Sequence, residues 1–149
     1  MRIRPLVRVL LLLGALAPAR AAAQVSSTPD PERAAVQQVI VRFGEYLQAG
    51  DLSAAETLVR PRGHILTDDA TTHGWAEYRD QHLKPELSRM GAGYAHTSVE
   101  ATVRGNLAYV AFRRVFAAAN GAAEVQGRGT AVLEKVDGRW LIVHLHMSQ

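Results

Sequence analysis

The sequence predicts an α+β domain, with three N-terminal helices packed on one face of a mostly antiparallel sheet. Three observations predict it. Val36, Val39, Ile40, Phe43 and Leu47 recur with the spacing of one helix face. From Tyr94 onward, apolar and polar residues instead alternate between turn signals. The length of 149 residues with 48% hydrophobic content suits one domain with an ordinary core.

The first helix opens at Asp30, whose carboxylate can accept from the free amides of the first turn, followed by Pro31 and Glu32. "QAGD" ends it, with Gly50 suited to the left-handed conformation after a helix and Asp51 placed to cap a second, short helix over residues 52–58. "HIL" at 64–66 is a strand candidate, and "TDDATTHG" reads as a polar loop. A third helical piece, "WAEYRDQHLKPELSRM", puts Trp75, Tyr78 and His82 on one face and is broken or kinked at Pro85. Four strands follow, "TSVEATV", "LAYVAFRRVF", "EVQGRGTAVLEK" and "RWLIVHLHM". Gly105-Asn106, Asn120-Gly121 and Asp137-Gly138 turn between them. "GRG" at 127–129 lies mid-strand and reads as a bulge or a close approach of neighbouring groups.

Residues 1–23 have a different composition. Arg2, Arg4 and Arg8 precede a short apolar run, and small residues follow in "ARAAAQ". This is the layout of a secretory signal peptide cleaved after Ala23, with an apolar run too short for a permanent span of about 20 residues. Residues 24–29 read as a tether and 30–149 as the domain. An exported protein, periplasmic or secreted, with no membrane attachment after cleavage, is the expectation. Cleavage removes four arginines and no acid, which takes the formal charge from +3 to −1. The basic balance belongs to the leader, and nucleic acid is not an expected partner. With no cysteine, disulfides, thiol nucleophiles and thiolate metal sites are excluded, and a hydrophobic core must hold the fold.

Strict alternation in the last strand puts Trp140, Ile142, His144 and His146 on one face and Leu141, Val143, Leu145 and Met147 on the other. Two apolar faces call for helices on one side and a second copy of the chain on the other, hence a homodimer through the sheet. His144 and His146, rooted about 7 Å apart, could serve one ligand. In an apolar setting they are candidates for acid-base chemistry, with His82, Tyr78 or Tyr109 as proton donors. A metal site would need further ligands from His82, His96, Asp68 or Glu77, and no H-E-x-x-H spacing is present. His96 shares its alternation face with Ser98 and Glu100, a polar one. Trp75, Tyr78, Tyr109 and Trp140 read as core or as pocket lining. Of Arg113 and Arg114, one must point to each face, and an inward arginine would suit a carboxylate. No phosphate loop, dinucleotide fingerprint or nucleophile elbow occurs, so no cofactor is expected.

The segments "YLQAGD", "GWAEYRDQHL", "GNLAYVAFRR" and "GTAVLEKVDGRWLIVHLHMS" resemble the cone fold of nuclear transport factor 2 and its SnoaL-like and ketosteroid-isomerase-like relatives. The closing D-G-x-W-x-x-V-H-x-H-x-S order is most similar to the association domain of calcium/calmodulin-dependent kinase II. The resemblance implies a curved sheet closing a cavity, with Ile142, His144 and His146 inside and Arg114 inward from the middle strand. Together with the residues read above it leads to a small organic ligand held by Trp75, Tyr78, His96, Tyr109, Arg114 and Trp140, with His144, His146 and His82 as the catalytic candidates. That ligand is the substrate of a cofactor-independent lyase or isomerase using histidine, or else the domain is a non-catalytic assembly module or a histidine metal-binding protein. The aspartate base and the tyrosine with an acidic partner of the isomerase branch find no clear match among Tyr46, Asp68 and Tyr109.

Overall fold

The computed structural model describes residues 30–67, 71–87, 93–117 and 124–149. Helix α1 (Pro31–Ala49) begins as the sequence requires: the Asp30 carboxylate accepts from the Glu32 amide at 3.0 Å, with Pro31 in the first turn. It stops at Gly50, which takes the left-handed conformation at φ 69°. Asp51 then caps α2 (Leu52–Glu56) by accepting from the Ala54 amide. One stripe of α1, Val36, Ile40, Phe43, Gly44 and Leu47, is buried against the sheet.

The helical stretch after Gly74 is built in three pieces, α3 (Trp75–Tyr78), a π-helical turn (Arg79–Leu83) and α4 (Lys84–Leu87). Pro85 explains the wide turn. It has no amide to offer the ordinary α ladder, and just before it the Lys84 amide reaches back to the Arg79 carbonyl.

Six strands form one sheet in the order β2-β1-β6-β5-β4-β3: β1 (Val59–Leu66), β2 (Thr71–His73), β3 (Ala95–Arg104), β4 (Leu107–Phe116), β5 (Val125–Val136) and β6 (Arg139–Ser148). Only β1 and β6 run parallel. The helices lie on the inner face, as the sequence predicts. The polar stretch before Gly74, predicted to be a loop, instead supplies the edge strand β2. An edge strand needs only one apolar contact row, and here Thr72 alone turns inward, its hydroxyl donating to the Ile65 carbonyl. Asp137 and Gly138 both have positive φ, as a tight hairpin turn demands. Asp68, Asn120 and Gly121 lie outside the described residues.

Two bulges set which side chains face inward. In β3 the pairing with β4 slips between Thr97 and Glu100, with Ser98 at φ 49° and the Gln37 side chain of α1 donating to the Val99 carbonyl. In β6 the pairing with β5 skips Val143. Each extra residue reverses the alternation for the rest of its strand. Among the described residues no helix is long and apolar enough to cross a membrane.

Candidate binding site

On β4, Ala108, Val110, Phe112 and Arg114 face inward and are buried, while Arg113 is exposed. Arg114 is the inward member of the pair, as the resemblance implies. Room for it comes from β5. Gly129 lies opposite Phe112, and a Cβ there would stand 2.1 Å from the phenyl ring. Gly127 lies opposite Arg114, and a Cβ there would stand 3.2 Å from Arg114 Nε. The β4–β5 register runs unbroken, so "GRG" is a close approach and not a bulge. Arg114 is 4% exposed, and its guanidinium sits 5.5 Å from the centre of the Phe116 ring. Its Nε is buried with no acceptor, and no ion pair among the described residues includes it.

Beside it, His96 is buried at 5% exposure because the β3 bulge separates its face from that of Glu100. Its Nδ1 lies 2.9 Å from the Ile40 carbonyl, which can only accept, so the proton is on Nδ1. Nε2 therefore carries the lone pair and accepts from the Tyr94 hydroxyl at 3.0 Å. Burial, opposed by the Ile40 hydrogen bond and aided by the Arg114 charge, depresses the imidazole pKa to about 4. His96 is neutral at physiological pH. Gly44 lets α1 come this close, since a Cβ at that position would stand 3.0 Å from the His96 ring and backbone. Burial likewise raises the phenol pKa of Tyr94, with Arg114 pulling it the other way.

The opposite wall comes from the Trp75–Leu87 stretch. Trp75 meets Phe43 edge-on at 6.0 Å, and Tyr78 packs against Trp75 and is stacked by His82 at 6.5 Å. Burial raises the Tyr78 phenol far above its ordinary pKa. The indole Nε1 of Trp75 is a second buried donor with no acceptor. The structure thus gathers Trp75, Tyr78, His96 and Arg114 on the inner side, with His82 half-buried at its edge. Tyr94, two residues before His96, belongs with them. Its Tyr-x-His spacing was the available sign.

Three predicted positions are corrected. His144 and His146 do not face inward with Trp140 and Ile142. Beyond the Val143 bulge, Leu145 and Met147 take the inner face and both histidines stand on the outer one. Tyr109 is also on the outer face, 61% exposed. Trp140 is buried on the inner side but at a different place. Its Nε1 donates to Glu32 at 2.9 Å, while Lys135 holds the other Glu32 oxygen at 2.6 Å, and the two bonds, Lys135 foremost, lower the Glu32 pKa. Glu77, considered as a metal ligand, accepts from the His73 amide at 2.9 Å.

A sequence profile of the SnoaL-like domain matches residues 36–149. No curated protein sequence matches the chain significantly. Among solved structures, a nuclear transport factor 2-like protein of unknown function from Pseudomonas putida aligns with a TM-score of 0.70 and 15% identity, over 79% of this chain and 86% of that one. A protein from Streptomyces avermitilis, described as a candidate dehydratase of the same family, gives 0.69 and 18%, over 81% and 97%. One from Shewanella frigidimarina, described as a candidate ketosteroid isomerase, gives 0.68 and 22%, over 76% and 94%. These likenesses establish the cone-like α+β fold of the superfamily.

Proposed function

We propose, from the premise that this chain belongs to the SnoaL-like domain family, that its interior binds a small organic anion, with Arg114 as the docking group. The observation that carries the proposal is the buried Arg114 guanidinium with no counter-ion among the described residues. An uncompensated buried charge costs several kcal/mol, and a ligand carboxylate removes that cost while satisfying the Nε donor. Trp75 Nε1 offers a second orphan donor, and the apolar rings of Phe43, Phe112 and Phe116 suit the body of an organic molecule.

Isomerase or lyase chemistry is the second reading, favoured by the Tyr94–His96 pair. The phenol is the donor and neutral His96 holds it, so a substrate oxygen that displaces the imidazole would find a buried O–H aimed at it. The candidate isomerase and dehydratase among the similar structures accord with this chemistry. Export is supported by the leader-like layout of residues 1–23, and self-association through the outer face by Leu107 and Tyr109, 47% and 61% exposed on β4.

The test is a thermal-shift screen of organic carboxylates on the wild type and on Arg114→Met. A binder present at a hundred times its Kd stabilises the wild type by about 2.7 kcal/mol. It should leave Arg114→Met unmoved, and that variant without ligand should be as stable as the wild type or more so. An Arg114→Met protein that keeps its ligand response, or that unfolds for want of the arginine, would show the guanidinium to be structural.

A further inference from the structure

The four outer-face histidines of β1, β2 and β6 play no part in that interior. Register places three of them in one row: His64 has His73 as its Cα partner on one side and His144 on the other. Neighbouring strands lie about 4.8 Å apart, so the three imidazoles are rooted at roughly that spacing on one face. His146 stands two residues along β6 from His144, beside Leu66.

From this row we infer a divalent transition-metal site made by His64, His73 and His144, with the fourth position taken by His146 or water. Two imidazoles on a tetrahedral ion, with metal–nitrogen bonds of about 2.0–2.1 Å, have ring centres roughly 5 Å apart. The ring centres of His64 and His73 stand 5.3 Å apart. Among the described residues no three ligating groups yet converge on a point, so His144 must swing toward this pair. Side-chain rotation on a sheet surface supplies that movement within nanoseconds.

The ring nitrogens are also available. His96 spends both of its nitrogens on Ile40 and Tyr94, whereas no hydrogen bond to another described residue holds those of the row. Glu77, bound to the His73 amide, places a carboxylate beside the site, where it favours a cation. Imidazole donors without thiolates suit zinc, copper or nickel and not magnesium or calcium. The row lies on the β2-β1-β6 side of the sheet, away from Leu107 and Tyr109 on β4, so it does not depend on self-association or on the interior ligand.

Isothermal titration of zinc into the full chain, stripped with chelator and carrying no affinity tag, tests the site. The expected result is one ion per chain, with His64→Ala and His144→Ala each weakening binding by about tenfold or more. His82→Ala, which removes a histidine outside the row, should bind as the wild type does. Cobalt(II) in place of zinc should give the intense visible bands of a four-coordinate ion, lost in His64→Ala. His64, His73 and His146 are exposed and His144 is half-buried on the outer face, and a melting curve checks that each variant is folded. The absence of binding, half an ion per chain, or equal loss in His82→Ala would overturn the proposal, as would row variants that bind like the wild type.

Discussion

His96 and His144 are the same residue type in the same sheet, and they occupy opposite chemical worlds. His96 is enclosed by Phe43, Phe112 and Tyr94, with both nitrogens committed and its charge suppressed. His144 lies on the outer face among other histidines, and no hydrogen bond to another described residue holds its ring. Residue identity therefore says little about role here. Enclosure and hydrogen-bond partners decide whether an imidazole fastens a core or offers a lone pair to a ligand.

The largest expected effect lies at the enclosed site. His96→Ala removes a buried ring and strands the Tyr94 hydroxyl, and should lower stability by about 3–4 kcal/mol in urea unfolding. A loss below 1 kcal/mol would erase the distinction between the two regions. Next comes pH. His96 titrates near 6.5 when unfolded and at about 4 when folded, so between these values the unfolded state binds more protons. Stability is complete above pH 6.5 and should fall by up to about 3 kcal/mol as pH drops to 4, a slope that His96→Ala should flatten. Gly44→Ala, which crowds His96 from the helix side, should cost about 1 kcal/mol despite alanine's better helix propensity. The smallest effect belongs to the open face, where His146→Ala should change stability by less than about 0.5 kcal/mol.

What was legible in the sequence followed from local chemistry. Asp30, Gly50, Asp51 and the Asp137-Gly138 turn announced their elements because caps and turns are decided by adjacent residues. Alternation alone left Arg113 and Arg114 open and the resemblance put Arg114 inward, where the unbroken alternation of β4 does place it. The histidines were misplaced for one reason. Bulges at Ser98–Val99 and at Val143 arise from pairing with distant strands and with α1, and strict alternation read straight through them. Strand β2 escaped notice because its register with β1, not its own composition, makes it a strand. The row of His64, His73 and His144 was invisible for the same reason, since it draws on three strands of which two are parallel neighbours far apart in the chain.

Val143 has a consequence for how this strand can change. A substitution alters one side chain, and removal of Val143 itself would straighten the strand with Leu145 and Met147 still inward, because Ile142 and His144 already pair with the adjacent Leu133 and Val132. One residue inserted between His144 and Leu145 would instead present Leu145 and Met147 to solvent and drive His146 into the core. The end of the chain thus behaves like text in a reading frame. Point changes there are local edits, while a residue inserted past the bulge exchanges the two surfaces of the strand's end.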